Sequence, residues 1–79
     1  MDLQTPPTKQ EIAALERLIV IARRDTGQSR KVASMLLAWY NARAFGGFDL
    51  TDLWGVDGDI NADMMRVLGY IGRCRHYPD

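Results

Sequence analysis

Apolar side chains spaced three or four residues apart, in segments that begin with helix-capping residues, are the feature that most constrains this chain. The first segment follows the string TKQE, in which Thr8 and Glu11 match a capping box. Gly27 and then Gly46-Gly47 follow the first two segments, and glycine often ends a helix in a left-handed conformation. Because this spacing gathers apolar side chains on one helix face, we predict an all-α fold: a compact bundle of three main helices plus one short helix.

The same pattern predicts where each helix begins and which positions are buried. We expect the first helix to end near Asp25, the second to begin at Ser29, and Asp57 to cap the third. Asp49 is the expected cap of a short helical turn over Leu50–Trp54. The predicted buried stripes are Ile12, Leu15, Ile19 and Ala22 in the first helix, widened by Leu18 and Ile21, and Ile60, Met64, Val67 and Ile71 in the third.

The length of 79 residues predicts one helical domain over 1–79, with an extended lead-in at 1–7 and a tail at 74–79. Cys74 is the only cysteine, so the chain cannot form an intramolecular disulfide and its fold depends on packing. The N-terminus has no basic region followed by an apolar run, and no apolar run is long enough to span a membrane. We therefore expect a cytoplasmic protein that does not associate with membranes.

Charge is distributed unevenly although the formal net charge is zero. Zero net charge makes direct binding of nucleic acid less expected, since proteins that neutralise phosphates are usually basic. The charged residues from Arg17 to Arg43 are mostly basic, whereas those from Ala44 to Met65 are all acidic. The acidic segment is therefore the first candidate for a binding surface.

The acidic stretch VDGDINADMM resembles the start of a calcium-binding loop. Asp57, Asp59 and Asn61 match the first three ligand positions of such a loop. Ala62 stands where the loop needs glycine, and Leu68 stands where it needs a closing carboxylate. Carboxylates in a first turn also complement the helix dipole. The sequence thus favours a helix start over a metal site, and we predict no metal or cofactor.

The acidic segment also contains aromatic residues, and aromatic anchors inside a charged rim are common at protein interfaces. The sequence shows no base beside these acids. The alternative interpretation is that Phe48 and Trp54 are core residues and the acids are helix caps. On the interface hypothesis, the predicted partner-binding residues are Asp49, Asp52, Trp54, Asp57 and Asp59.

Two other functions remain open. The first two helices and their glycine-containing turn match a helix-turn-helix in length, which would place Gln28, Arg30 and Lys31 at the start of a DNA-recognition helix. The second helix carries large apolar residues on more than one side, which suits a buried helix better. The other hypothesis is a structural subunit that forms a homodimer through exposed apolar surface.

Catalysis is the function that the sequence supports least. His76 is the only histidine, and both it and Cys74 lie in the predicted tail. A Cys and a His two residues apart do not create the geometry of an activated nucleophile. We find no phosphate-binding loop, metal-ligand cluster or acid pair with recognisable spacing. We therefore predict that the protein is not an enzyme and has no catalytic residues.

From about Ala14 onward the chain resembles a group of small uncharacterised helical proteins encoded on proteobacterial plasmids, integrative elements and prophages. The strings that carry the resemblance are DTGQSR, LLAWYNA, GGFDLTDLW and the closing YPD. The resemblance implies an accessory protein of a mobile element in a bacterial cytoplasm. Small proteins from this setting often inhibit host defence complexes, with anti-CRISPR proteins as the best-known class. By this analogy, an acidic face would block the DNA-binding site of a host nucleoprotein complex, such as a CRISPR effector.

Overall fold

The structure, a computed structural model, describes residues 6–78, which form three α-helices and one short 3₁₀ helix. The elements are α1 (Lys9–Ala22), α2 (Gly27–Phe45), the 3₁₀ helix (Leu50–Gly55) and α3 (Gly58–Cys74). The all-α prediction of three main helices plus one short helix is confirmed. Most of the predicted lead-in, residues 1–5, lies outside the described part of the chain, as does the last residue of the tail.

The capping box predicted at the start of α1 is present. The hydroxyl of Thr8 accepts a hydrogen bond from the amide of Glu11 at 3.1 Å, and the Glu11 carboxylate accepts one from the amide of Thr8 at 2.9 Å. These bonds satisfy two amide groups that a helix start leaves without partners. The helix ends at Ala22, three residues before the predicted end at Asp25.

The start of α2 corrects the prediction that Ser29 caps this helix. Thr26 is the cap: its hydroxyl accepts from the amide of Ser29 at 3.0 Å, while the Ser29 hydroxyl accepts from the amide of Thr26 at 2.8 Å. Ser29 therefore fills the third helical position, where glutamate or glutamine is usual. Gly27 is the first residue of α2 and not a left-handed stop after α1. Two hydroxyl residues three positions apart can each be taken for the cap, and here they cap reciprocally.

The C-terminal part of α2 contains a break. Asn41 has an extended backbone, with φ −163° and ψ 89°, and its side-chain oxygen accepts a hydrogen bond from the amide of Ala44 at 3.2 Å. Asn41 thus acts as an internal cap for the last helical turn. Gly46, with φ 89°, then ends the helix at the position that the sequence predicted.

The contacts between elements define the arrangement of the helices. Glu11 pairs with Arg73 at 2.6 Å and Arg17 pairs with Asp63 at 2.8 Å, so α1 runs antiparallel to α3. Contacts of Gln28 with Asp57 and of Trp39 with His76 align α2 parallel to α3. The chain between two parallel helices must return along the bundle, and the 3₁₀ helix lies in this return, packed against both α2 and α3.

The core corrects the stripe predicted for α1 at two positions, Ile12 and Ile19, while the other four predicted residues are buried or pack against the core: Leu15, Leu18, Ile21 and Ala22. Ile12 is 45% exposed and Ile19 is 37% exposed, whereas Ala14 and Leu18 are fully buried. Apolar residues lie on several sides of α1, so their spacing alone does not identify the inner face. The stripe predicted for α3 is placed correctly, since Met64 is buried and its neighbours along the stripe pack against the core. The buried apolar cluster consists of Ala14, Leu18, Val32, Met35, Met64 and Val67.

The described part of the predicted tail is held against the helices. Cys74 is the last residue of α3 and is fully buried. The indole N–H of Trp39 donates a hydrogen bond to the carbonyl of His76 at 2.9 Å, which fixes the chain just after α3. In the span from 6 to 78, no helix combines the length and the apolarity needed to cross a membrane.

Candidate partner-binding site

The 3₁₀ helix brings three of the predicted partner-binding residues to the surface. Asp49 is its cap as predicted, and the carboxylate accepts hydrogen bonds from the Thr51 hydroxyl at 2.8 Å and the Thr51 amide at 3.0 Å. These bonds favour the charged form and lower the pKa of Asp49. Residues three apart eclipse each other in a 3₁₀ helix, so Thr51 and Trp54 share a face. That face differs from the one carrying Leu53, which packs against the core.

Trp54 is the most exposed large apolar residue among those described, at 84%, and Leu50 follows at 69%. Phe48, by contrast, is half-buried against the core. The two interpretations of the aromatic residues therefore each hold for one of them: Phe48 is a core residue and Trp54 is a surface residue. We use the name 3₁₀ surface for Asp49, Leu50, Asp52 and Trp54, of which Asp52 is half-buried and the other three are exposed.

The other two predicted residues, Asp57 and Asp59, line a groove between α1 and the start of α3. The groove has a volume of about 490 Å3 and a partly apolar lining. It also contains arginine side chains, so the expectation that no base lies near these acids is wrong. The residues that line this α1–α3 groove are Glu16, Arg17, Val20, Ile21, Arg24, Asp57, Asp59 and Ile60.

Asp63, the last acid of the stretch that resembled a calcium loop, is a structural residue. Its carboxylate accepts two hydrogen bonds from Arg17, at 2.8 and 2.9 Å, and one from Arg66 at 3.0 Å. The bonds from Arg17 lower the pKa of Asp63, and they outweigh burial, which acts in the opposite direction. Asp63 is 6% exposed, so it joins α1 to α3 and adds nothing to an acidic surface.

The remaining residues of that stretch serve the start of α3. Asp57 occupies the predicted cap position, but its carboxylate makes no capping hydrogen bond and is left at the groove. Its amide instead donates to the side-chain oxygen of Gln28 at 2.7 Å, and the Asn61 amide group donates to the carbonyl of Leu53 at 2.9 Å. Across residues 6–78, no three His, Cys, Asp or Glu side chains come close enough to hold a metal ion.

The three residues predicted to contact DNA at the start of α2 make hydrogen bonds or ion pairs within the protein. Gln28 accepts the amide of Asp57, and Arg30 pairs with Asp25 at 2.7 Å. The amine of Lys31 lies 3.5 Å from the carbonyl of Gly55. Two of the three side chains therefore reach toward the connection between the 3₁₀ helix and α3. A DNA duplex at the start of α2 would have to displace these contacts.

Sequence reasoning missed Leu50 and the arginines of the groove. A leucine outside any helical stripe, directly after a cap, is the signal that could have identified Leu50. Arg17 and Arg24 are far from Asp57 in the sequence, and only the antiparallel packing of α1 on α3 brings them together. The local sequence around Asp57 could not predict that these arginines line the same groove.

Comparison with known proteins yields a family match. A family model described as "Family of unknown function (DUF7673)" matches residues 12–79. No curated protein matches the chain, and no solved structure does.

Proposed function

The chain belongs to the family of unknown function DUF7673, and we propose that it is a non-enzymatic protein-binding module. Its contact site would be the 3₁₀ surface together with the acidic side of the α1–α3 groove. The observation that carries the proposal is the 84% exposure of Trp54. Burying a large apolar side chain contributes about 1.5–3 kcal/mol, and tryptophan is enriched among the residues that dominate binding energy.

Carboxylates of the 3₁₀ surface and of the α1–α3 groove suggest the kind of partner. Asp52, Asp57 and Asp59 form no ion pair within residues 6–78, so their charges are available to a second molecule. Complementary charge raises association rates and selects among partners. A basic protein surface with an apolar pocket for Trp54 fits this arrangement.

The arginines in the groove bear on how such a partner would be contacted. A surface that only mimicked DNA would present negative charge alone, whereas Arg24 lines the same groove as Asp57 and Asp59. We therefore assign the leading role to Trp54 and Leu50, with the carboxylates as the rim that orients the partner. Mixed charge of this kind suits a protein surface that carries some acidic residues of its own.

The narrower form of the proposal names a target. The protein would act for a mobile element in the bacterial cytoplasm and inhibit a host defence nucleoprotein complex, of the CRISPR type, by covering its DNA-binding site. Support for this form comes from the resemblance to mobile-element proteins and from the acidic residues of the site. The resemblance sets the context, and the basic groove of such a complex supplies the complementary charge.

A tagged pull-down from a bacterial lysate that contains its own CRISPR machinery tests both forms. We expect a stoichiometric complex that survives nuclease treatment and is lost with Trp54→Ala or with the double change Asp52→Lys and Asp59→Lys. Phe45→Ala is the matched control, since it removes an exposed aromatic residue outside the site. Circular dichroism confirms that each variant remains helical.

The possible results separate the hypotheses. Capture of Cas proteins supports the narrower form, and capture of another basic protein supports the module alone. Unchanged binding by folded variants at positions 52, 54 and 59 contradicts the proposed site. Recovery of only the protein itself favours the homodimer. Loss of the co-purifying proteins on nuclease treatment favours direct binding of nucleic acid.

A further inference from the structure

A second surface lies where the C-terminal part of α2 meets the residues after α3. It is a hollow of about 680 Å3, and a smaller one of about 240 Å3 adjoins Tyr77. Tyr77 is the residue common to both. The larger hollow is lined by Ala38, Tyr40, Asn41, Ala42, Arg43 and Tyr77, and the smaller by Trp39, Ile71, Arg75, His76 and Tyr77. We call the two together the aromatic–cationic surface.

Specific contacts build this surface. The hydrogen bond from the indole of Trp39 to the carbonyl of His76 brings Tyr77 beside α2. The ring of His76 also packs edge-on against Tyr70, with centroids 6.3 Å apart. On the other wall, the break at Asn41 interrupts α2 where Tyr40 and Arg43 line the larger hollow. The aromatic and cationic groups are thus positioned by contacts from α2, α3 and the tail.

The chemistry of the surface combines exposed rings with unpaired cations. Tyr40 and Tyr77 are both exposed. Arg43 and Arg75 are exposed as well, and neither forms an ion pair inside the described range 6–78. Among residues 6–78, those that line the two hollows include no carboxylate. A complementary ligand would therefore contain flat rings and negative charge.

We propose that the aromatic–cationic surface binds a segment of single-stranded nucleic acid, with bases stacked on Tyr40 and Tyr77 and phosphates near Arg43 and Arg75. Single strands offer unstacked bases and phosphates together, which is the combination that aromatic and basic side chains recognise. A duplex keeps its bases stacked inside, and an acidic peptide segment supplies charge without a regular series of rings. This site goes beyond the proposed protein-binding function and shares no residue with it.

Fluorescence anisotropy of a labelled oligothymidylate, measured with the full chain at low salt, tests the proposal. We expect Tyr40→Ala and Tyr77→Ala each to weaken binding about tenfold, as loss of one stacked base does. Tyr40→Phe and Tyr77→Phe keep the rings and should restore most of the affinity. Arg43→Gln should make the dependence of affinity on salt shallower, because fewer counterions are then released.

Trp54→Ala is the matched control, because it removes an exposed aromatic residue of the 3₁₀ surface and should leave strand binding unchanged. Equal loss with Trp54→Ala, equal affinity for duplex DNA, or no binding at low salt in the folded wild type would each overturn the proposal. Competition by thymidine monophosphate as strong as that by the strand would likewise overturn a strand-binding role. None of these results depends on the pull-down, so the two proposals can fail separately.

Discussion

At the scale of single residues, Asp63 shows how one carboxylate holds two helices together. It is nearly buried on α3 and accepts hydrogen bonds from Arg17 on α1 and from Arg66 on its own helix. Both guanidinium groups are half-exposed, so they keep part of their hydration while the carboxylate has lost most of its own. Asp63 therefore relies on the arginines to replace its lost hydration, whereas the arginines still contact water.

Replacing Asp63 by asparagine tests this dependence. Asp63→Asn keeps the shape and removes the charge, and we expect the free energy of unfolding at neutral pH to fall by about 1.5–3 kcal/mol, the value of hydrogen bonds to a charged group. Asp59→Asn is the control, because Asp59 is exposed and pairs with no cation of the described residues, and it should change stability by less than about 0.5 kcal/mol. Urea unfolding measures both, and equal effects would contradict a structural role for Asp63.

Glu11 gives the fold a sensitivity to acid. The Arg73 side chain and the Thr8 amide lower the pKa of Glu11 from 4.5 to about 2. Because folding lowers this pKa, the contribution of Glu11 to stability is complete above pH 4.5 and is lost as the pH falls toward 2. The lowered pKa of Asp63 acts in the same direction.

Glu11→Gln separates the charge of Glu11 from its capping role, since glutamine also completes a capping box. We expect the urea midpoint of the wild type to decline between pH 4.5 and pH 2 more steeply than that of the variant. At neutral pH the variant should be the less stable of the two. Parallel declines in the two proteins would show that Glu11 does not contribute to the acid sensitivity.

At the scale of helices, the sequence predicted boundaries well where the deciding contacts are local. The box at Thr8 involves two residues three positions apart, and it formed as expected. The predicted start of α2 was wrong because Thr26 and Ser29 both have hydroxyls that could cap the helix, and only the structure shows that Thr26 is the cap. The inner face of α1 depends on contacts with α3, which are distant in the sequence. Such contacts explain why Leu18 and not Ile19 is in the core.

Alanine substitutions at these two neighbouring positions test the orientation of α1. Leu18→Ala should lower the free energy of unfolding by about 2–5 kcal/mol, because it removes a fully buried side chain and leaves a cavity. Ile19→Ala should cost clearly less, since Ile19 is 37% exposed and its removal leaves less of a void. Thermal unfolding followed by circular dichroism measures both. The stripe predicted from the sequence includes both residues and so implies similar losses, whereas a clearly larger loss at Leu18 supports the inner face seen in the structure.

At the scale of the whole molecule, the candidate sites depend on contacts between distant parts of the chain. The sequence could identify Trp54 and the acids near it, because they share one segment. It could not place Arg24 beside Asp57, nor Tyr77 beside Tyr40, because those pairs come together only when α1 packs on α3 and the tail folds back onto α2. Composition suggested one acidic face, whereas packing distributes the acids among a surface, a mixed groove and an interhelical ion pair.

The hydrogen bond from Trp39 to the carbonyl of His76 ties α2 to the chain after α3, and the thiol of Cys74 lies against the same carbonyl. The thiol of Cys74 is fully buried, 3.7 Å from the carbonyl of His76. Trp39→Phe keeps a large ring but removes the N–H donor, which weakens docking of the tail by about 1 kcal/mol. Transient opening should then expose Cys74 more often, and a thiol reagent should label it about fivefold faster.

The matched control for this last prediction is Trp54→Phe, the same substitution at an exposed position outside the tail contact. Its labelling rate should equal that of the wild type. Urea unfolding measures the global stability of each variant. If only the tail opens more often, the labelling rate rises by more than the loss of global stability predicts. Equal labelling rates in all three proteins would mean that the Trp39 hydrogen bond does not protect Cys74. In that case the packing of α3 alone would bury the thiol, and the tail would not be needed to close the fold.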